Sequence, residues 1–331
     1  MKKTLLALAV LAAASSVNAA EIYKNESTSL KATGEVDIFL RASEIEPVGA
    51  KADKEELNIN HKGLIQIDFE HKLNDSVTAF GSFEIEGEKA AEFDDVYAGF
   101  KGGFGKVTFG ETGDAIDAIE KTDISNEGIY LGTPGHLTES KGYGARYQVS
   151  FADLALSLDW QSTKADGADD AIGISADYNF GMGSVAASFV DYGKQNSKDA
   201  SVAGVAVSFE AVENLYLAAS WSTYENTEFE VEAGSDKTVV LKTTAHDGDV
   251  FGLAASYQID KVRLYTTYAL ASADKDLSGS KLDADLSNIL VGVDYQLADN
   301  LKLFAEYNSA ELDGKNVTDA YLFVSGFYLT F

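Results

Sequence analysis

The sequence predicts an all-β protein, a transmembrane antiparallel β-barrel of about 16 strands, and three observations lead to this fold class. Polar and apolar residues alternate along many segments of the chain, and a period of two residues is typical of β-strands. The connections between those segments are alternately tight and long, which is typical of bacterial outer-membrane barrels. The N-terminus has the pattern of a secretory signal peptide.

Export is indicated by the first residues of the chain. Two lysines precede a short apolar run, and small residues follow as far as Ala19. The run is shorter than the roughly 20 residues that a membrane-spanning helix needs, whereas small residues at its end suit signal peptidase. We therefore expect residues 1–19 to be a cleaved signal peptide and residues 20–331 to form a single transmembrane β-barrel domain.

The strand pattern is clearest at residues 31–41. Polar side chains occupy one face and apolar side chains the other: Lys31, Thr33, Glu35, Asp37 and Arg41 against Ala32, Val36, Ile38 and Leu40. The same period predicts strands at about residues 31–41, 57–70, 77–86, 96–101, 106–110, 141–150, 154–162, 172–180, 185–192, 202–209, 215–224, 250–259, 262–270, 286–297, 301–309 and 320–331. Residues 228–243 are a candidate strand extension within a long loop.

Turn residues mark the connections between the predicted strands. Tight turns are predicted at residues 74–75, 102–103, 152–153, 181–183, 260–261 and 299–300, and longer acidic connections lie between them. The two prolines, Pro47 and Pro134, are expected in loops, because proline cannot donate to a strand ladder. A soluble β-sandwich also alternates polar and apolar residues. The chain length, the even hairpin rhythm and the export signal favour the barrel.

Aromatic residues add to this prediction because several share the apolar face. Near strand ends we place Trp160, Trp221, Tyr257, Tyr268, Tyr295 and Tyr307 on that face. Aromatic girdles at the two lipid interfaces have this arrangement. A general preference of aromatic residues for strands explains their presence but does not explain their common face.

Composition excludes several classes of function. Without the two signal-peptide lysines, 24 basic residues stand against 53 acidic ones, a net charge of −29, so nucleic acid is not an expected partner. The chain is 45% hydrophobic, which argues against disorder. It contains no cysteine, and its four histidines lie far apart without metal-ligand spacing. No nucleophile motif is present, so we expect no enzymatic activity, no cofactor and no metal site.

The two ends of the expected mature chain resemble those of a known family. Residues 20–25 and 30–37, and the closing Tyr328-Leu329-Thr330-Phe331, resemble the Gram-negative general porins, in particular those of the Vibrio type. The resemblance implies a water-filled channel in the cell outer membrane for passive diffusion of ions and small hydrophilic solutes. It further implies a homotrimer, contact with outer-membrane lipid and lipopolysaccharide, and recognition of the terminal Phe331 by the barrel-assembly machinery.

The most specific resemblance is internal. Residues 96–101 and 104–110 are similar to the strand pair that precedes the third loop of these porins, a loop that folds inward and narrows the channel. Within the segment that follows, Asp117-Ala118, Thr122-Asp123 and Glu127-Gly128 match signals of that loop. The resemblance implies that the carboxylates of the third loop line the constriction: Asp114, Asp117, Glu120, Asp123 and Glu127.

The pore wall departs from the family pattern. The family sets basic wall residues against the acidic loop, but two matching positions here are Glu35 and Glu111, and a third falls near Lys141. All three arginines of the chain have lumen parity, as expected because arginine facing lipid is costly. The predicted pore-wall residues are therefore Glu35, Asp37, Glu111, Lys141, Arg146, Arg41 and Arg263. Their balance predicts a preference for cations.

Two other classes of function remain as alternatives. An enzyme built on a barrel needs a nucleophile and a base at adjacent rim positions, and the sequence shows no such pair. An adhesin or receptor would use the long loops, but it gains nothing from a loop that folds inward. Both are therefore less well supported than a diffusion channel.

Overall fold

The computed structural model describes most of the chain after residue 19. The described residues are 20–47, 51–88, 90–128, 130, 132, 143–163, 168–195, 197–227, 229–232, 240–243, 245–276, 281–313 and 318–331. Among them, no helix is long and apolar enough to cross a membrane. Almost all of the regular structure in these ranges is β-strand, and the one helix within them is a 3₁₀ helix of five residues, Ala115–Ile119.

The strands occur in sequence order with few interruptions. They are β1 (Ala20–Lys24), β2 (Thr28–Pro47), β3 (Asp53–Lys72), β4 (Val77–Gly87), β5 (Glu92–Gly102), β6 (Gly105–Gly110), β7 (Gly144–Phe151), β8 (Leu154–Gln161), β9 (Ala171–Asn179) and β10 (Gly183–Gln195). They continue as β11 (Lys198–Phe209), β12 (Leu215–Glu225), β13 (Phe229–Glu232), β14 (Val240–Thr243), β15 (Ala245–Ile259), β16 (Val262–Asp276), β17 (Lys281–Ala298), β18 (Leu301–Asp313) and β19 (Thr318–Thr330).

Sixteen of these strands close into one antiparallel barrel. Each strand from β2 to β12 and from β15 to β19 pairs with the next, and β19 pairs back with β2 to complete the ring. Every one of the sixteen predicted segments overlaps one of these strands, so the predicted fold class is confirmed. Within the candidate extension at residues 228–243, the described segments β13 and β14 pair as a separate two-stranded ribbon.

The two prolines only partly match their expected positions in loops. Pro47 is the last residue of β2 and pairs with Thr318, so it closes a strand and does not lie in a loop. A terminal strand position is one of the few that proline tolerates. Pro134 lies outside the described residues.

The barrel wall differs in height around its circumference. The strands β2 and β3 have 20 residues each, whereas β6 has six and β7 and β8 have eight. Pairing of β3 with β4 begins only at Gly63, opposite Gly87. Residues 53–62 of β3 therefore pair with β2 on one side and with no described strand on the other, which leaves an open edge above the β4–β5 hairpin.

The alternation of side chains divides the wall into an outward and a lumen face. The six aromatic residues noted above all face outward, with exposed fractions of 38–48%. Trp221, Tyr268 and Tyr307 lie near the middle of their strands, so not all six occupy strand ends. Polar and charged side chains such as Asp37, Glu306 and Asn308 face the lumen and are nearly buried there. The barrel thus has an apolar exterior, and its lumen face carries these polar and charged side chains.

The two ends of the barrel domain meet along β2. Phe331 and Gly34 exchange two main-chain hydrogen bonds of 2.8 Å, and Ala20 on β1 pairs with Ala32, two residues before Gly34 on the same strand. The end of the chain and the expected mature N-terminus therefore lie in line on one edge of β2.

Candidate functional site: the inward loop and the pore constriction

The connection between β6 and β7 comprises residues 111–143, and its described part, residues 111–128, folds into the barrel. We call this segment the inward loop. Its helix begins after Asp114, whose carboxylate accepts a hydrogen bond of 2.7 Å from the main-chain N–H of Ile116. Asp is a favoured residue at this capping position because it satisfies an N–H group that has no partner within the helix. The helix then places Ile116 and Ile119 against the barrel wall, where both are fully buried.

The wall behind the helix is lined by small side chains. On β9 to β11 the buried lumen positions include Ala186, Ser188 and Ala206. At Gly204 even one added carbon would collide with Ile119. Burying an isoleucine side chain stabilises by about 1.5–3 kcal/mol. The small side chains of the wall thus leave space for Ile116 and Ile119, and the packing of these two side chains holds the helix.

Ion pairs fix the loop on either side of this apolar contact. Arg146 on β7 donates to Asp117 at 2.6 Å and to Ser157 at 2.8 Å. Lys121 donates to Asp177 at 2.6 Å and to Ser184 at 2.8 Å. The cations of both pairs are largely buried, with 14% of the Arg146 side chain and 12% of the Lys121 side chain exposed, whereas the Asp117 side chain is 39% exposed.

The tip of the loop crosses to the opposite wall and is held by Glu306 of β18. The Glu306 carboxylate accepts the main-chain N–H groups of Asn126, Glu127 and Gly128 at 2.6, 2.9 and 2.6 Å. It also accepts the hydroxyl of Tyr265 at 2.7 Å. Hydrogen bonds to an ionised acceptor are roughly twice as strong as neutral ones. One buried carboxylate therefore fixes three successive residues of the loop.

Side chains of the tip complete the attachment. The Asn126 amide donates to Asp294 at 2.8 Å and accepts from Lys302 at 2.8 Å. The Tyr328 hydroxyl donates to Glu127 at 2.8 Å. The loop thus spans from the wall of β8 to β12 to the wall of β16 to β19, and it divides the lumen.

The remaining opening is bordered by the lumen face of β2 to β6. This stretch presents Glu35 and Asp37 on β2, Lys62 on β3, Lys101 on β5 and Lys106 on β6. Lys106 lies 5.0 Å from the centre of the Phe80 ring. An ammonium group over an aromatic face is attracted by the ring. The opening is therefore bordered by both charge signs.

The five predicted loop carboxylates have different surroundings in the structure. Asp114 is 1% exposed and caps the helix, so it faces the wall and not the opening. Glu120 ends the helix and is half-buried. Desolvation raises the pKa of Asp117, although the neighbouring Arg146 opposes the shift. Desolvation also raises the pKa of Asp123, against hydrogen bonds from Ser125.

The predicted wall residues are also dispersed. Arg41, Arg146 and Arg263 have the expected lumen parity, and Arg263 donates to Asp294 at 2.6 Å. Glu111 lies at the base of the inward loop, where its carboxylate accepts the main-chain N–H of Val96 at 2.6 Å. Lys141 lies outside the described residues.

Several residues of the site were not singled out from the sequence. They are Lys62, Lys121, Glu306, Lys302 and Tyr328. Strand parity places those on strands in the lumen, but parity does not give the height of a residue along the barrel. Contacts between residues about 180 positions apart, such as Asn126 with Glu306, form because the inward loop crosses the lumen of the closed barrel.

The sequence match settles the family. A model of the Gram-negative porin family matches residues 7–315 of the chain. The chain belongs to this family. This porin is accordingly an outer-membrane protein that forms a channel for passive diffusion of ions and small hydrophilic solutes, and it is not an enzyme.

Individual relatives agree with this assignment. The outer membrane porin protein OmpD of Salmonella typhimurium is 28% identical over 360 residues, covering 97% of this chain and 95% of OmpD. Outer membrane protein U of Vibrio vulnificus is 32% identical over 189 residues, covering 54% of this chain and 48% of that protein. The resemblance to Vibrio porins predicted from the sequence is thus confirmed.

A solved structure shows the same fold. The trimer form of in-vitro folded OmpT, an outer membrane protein of Vibrio cholerae, matches with a TM-score of 0.61 at 16% identity. The match covers 92% of this chain and 100% of that one. The porin barrel is therefore conserved in shape where the sequences have largely diverged.

Proposed function

We propose that this porin prefers cations and that its constriction lies between the inward loop and the lumen face of β2 and β3. One observation supports the proposal most strongly. Acidic side chains border the opening on both sides, with Glu35 and Asp37 on the wall and Glu127 on the loop. None of these three forms an ion pair with a described residue, which leaves their charge available to mobile cations.

Four basic side chains of the lumen are neutralised by carboxylates. Arg146 pairs with Asp117, Arg263 with Asp294 and Lys121 with Asp177. Lys62 pairs with Glu86. In a narrow, partly desolvated channel the net charge at the opening acts more strongly than in bulk water. The charge balance therefore favours cations over anions.

The proposed roles follow from these positions. Glu35, Asp37, Asp123 and Glu127 supply the negative field at the constriction. Arg146 and Arg263 position their acidic partners, and Asp114 holds the helix. The other proposed wall and loop residues of the described part of the chain modulate the field from a greater distance: Asp117, Glu120, Glu111 and Arg41. Lys141, outside the described residues, stays a predicted pore-wall residue.

The test is the reversal potential of the purified channel in a planar bilayer under a KCl gradient. We expect a potential of the sign set by K⁺, and a shift toward Cl⁻ in Glu35→Lys. The matched control is Glu311→Lys, a charge reversal on β18 at an outward-facing position, which should leave the potential unchanged. A wild-type channel with the sign set by Cl⁻ would show that the proposal is wrong.

We also propose a homotrimer assembled in the outer membrane, with lipid and lipopolysaccharide around it and the barrel-assembly machinery acting on Phe331. The trimer form of the structural neighbour OmpT supports this assembly. Cross-linking of the purified protein should give a three-subunit band, and a single-subunit band alone would contradict it.

The export signal is proposed from residues 1–19, followed by a single barrel domain. The intact mass of protein purified from outer membranes should match a chain that begins at Ala20. A mass that includes the first 19 residues would contradict cleavage.

A further inference from the structure

The outer surface of the barrel carries a groove across β11, β12, β15 and β16, with a volume of about 530 Å³. Strand pairing places its outward side chains at two levels: Val207, Ala219, Leu253 and Tyr268 at one, and Phe209, Leu217, Ala255 and Thr266 at the other. At each level one alanine stands among larger side chains, and the two alanines form the floor of the groove. Because strands lie about 4.8 Å apart, the space above one alanine suits a single hydrocarbon chain, whereas an α-helix is about 10–12 Å wide.

The side chains of the groove favour an apolar occupant. Leu217 and Leu253 are 40% and 41% exposed, and outward apolar side chains of a membrane barrel lie against hydrocarbon. Thr266 donates its hydroxyl to the main-chain carbonyl of Leu290 at 2.7 Å, so this polar group is satisfied within the sheet. A hydrocarbon chain in the groove therefore leaves the Thr266 hydroxyl with its partner.

The groove lies near the end of the barrel that carries the tight turns. Phe209 is the last residue of β11, and the turn at residues 260–261 joins β15 to β16. The short turns of bacterial outer-membrane barrels face the periplasm. The groove therefore lies in the periplasmic leaflet, which consists of phospholipid, whereas lipopolysaccharide occupies the opposite leaflet.

Charges of both signs stand at this end of the groove. Lys261 is exposed in the β15–β16 turn, where its ammonium group donates to the main-chain carbonyl of Leu297 at 3.3 Å. Asp260 precedes it, and Glu210 and Glu213 lie in the connection from β11 to β12, all three exposed. A phosphate is attracted by the lysine, and a primary amine is attracted by the carboxylates. A zwitterionic ethanolamine headgroup is therefore complementary to this rim.

We propose that the groove binds one acyl chain of a phosphatidylethanolamine molecule of the periplasmic leaflet, with the phosphate at Lys261 and the amine at the acidic side chains beside it. The site is separate from the pore and does not depend on the proposed ion preference. An acyl chain on an even barrel face touches protein on one side only. In the groove it also contacts Val207 and Leu253 on either side of Ala219, and each added contact contributes dispersion attraction. The groove should therefore hold this lipid in preference to other outward faces.

The two tryptophans of the chain provide a matched pair of probes. Trp221 lies two residues beyond Ala219 on β12, and Trp160 lies on β8. Both face outward, with 48% and 44% of their surface exposed. Bromine on an acyl chain quenches tryptophan fluorescence on contact. The variant Trp160→Phe therefore reports lipid at the groove, and Trp221→Phe reports lipid at an outward face without it.

The experiment reconstitutes both variants in phosphatidylcholine vesicles with a rising fraction of phosphatidylethanolamine brominated on its acyl chains. We expect half-maximal quenching of Trp221 at about one third of the mole fraction that Trp160 requires, since an exposed charge pair and a few added contacts give a few-fold preference. Ala219→Leu combined with Ala255→Leu, in the Trp160→Phe background, should abolish this preference by filling the groove. The control is Ala305→Leu on β18, between the lumen-facing Phe304 and Glu306, which should preserve it.

A further variant, Lys261→Gln, leaves the groove unfilled and should weaken the preference about twofold by removing the charge at the phosphate. An unchanged preference in this variant would overturn the headgroup contact. Equal quenching of Trp221 and Trp160 would refute the site, and this comparison stands even if the filled variant does not fold. A preference that persists in a filled variant with the unaltered reversal potential of a folded channel would also refute it. A Trp221 that brominated lipid does not quench would mean that a second copy of the chain covers the groove.

Discussion

Two walls of the lumen hold the inward loop in different ways. The packing wall, defined as the lumen face of β8 to β12, offers small residues such as Ala186 and Ala206 to the buried helix. The charged wall, defined as the lumen face of β16 to β19 with β2 and β3, offers long polar side chains such as Lys302 and Glu306 to the loop tip. The first contact excludes water, and the second replaces water by directed hydrogen bonds.

This difference explains why one loop can be both anchored and selective. The hydrophobic contact has little directionality and fixes the depth of the helix in the barrel. The hydrogen bonds at the tip are directional and fix where each charge stands beside the opening. Disturbing each wall in turn should therefore affect different properties of the channel.

The largest effect is expected at the charged wall from Glu306→Ala. The change leaves three main-chain N–H groups without an acceptor, and hydrogen bonds to a charged group contribute about 1.5–3 kcal/mol each. We expect the loop tip to detach, so that single-channel conductance rises and its noise increases. Glu311→Ala, on the outward face of the same strand, should do neither. Unchanged conductance and noise in Glu306→Ala would show that the tip does not depend on this carboxylate.

A smaller effect is expected at the packing wall from Ile119→Ala. Truncating a buried isoleucine costs about 2–5 kcal/mol, partly because a cavity remains. The amides of residues 115–121 should then exchange hydrogen with solvent at least about tenfold faster, while amides of the barrel strands stay protected. As a control, Ile174→Ala removes an outward-facing side chain that is already 55% exposed. Equal exchange in both variants would argue against packing as the anchor of the helix.

A third change, Arg146→Gln, lies where the packing wall meets the opening. It removes the cation that pairs with Asp117 and leaves this carboxylate to act on the pore. We expect the reversal potential in a KCl gradient to move modestly toward K⁺, without a change in the stability of the barrel. Arg263→Gln is the matching variant on the charged wall, because it removes the cation that pairs with Asp294 in the same manner. A shift toward Cl⁻ in Arg146→Gln would contradict the assigned role.

The smallest effect concerns pH. Desolvation raises the pKa of both Asp117 and Asp123, so each loses its negative charge at a higher pH than an ordinary aspartate. As the pH falls through these raised values, K⁺ selectivity should weaken before the usual aspartate range near 3.9 is reached. In the variant Asp123→Asn, part of this early loss of K⁺ selectivity should disappear. A selectivity that stays constant down to pH 4 would rule out this contribution.

The barrel could be predicted from the sequence because its signal is local. Alternation with a period of two residues marks each strand, and the same parity places Arg41 and Arg263 in the lumen. The capping role of Asp114 is also a local signal, because an Asp directly before Ala-Ile-Asp suits the start of a helix. We instead expected Asp114 to face the pore, since the resemblance drew attention to its charge.

The arrangement of the constriction could not be predicted in this way. The height of a lumen residue depends on the stagger of all sixteen strands, which no single segment encodes. The pairing of Glu127 with Tyr328, and of Lys302 with Asn126, joins residues from distant parts of the chain. The family resemblance identified the loop but did not identify Glu306, which holds it.

The tall β2–β3 hairpin carries a risk that the rest of the barrel avoids. Its open edge at residues 53–62 is a row of main-chain groups that invites strand addition by another unfolded chain. At the upper end of this edge, Asp53, Lys54, Glu55 and Glu56 are all charged. Charged side chains on an exposed edge discourage such pairing. The charged tip of the hairpin therefore protects the chain against aggregation while the barrel is being assembled.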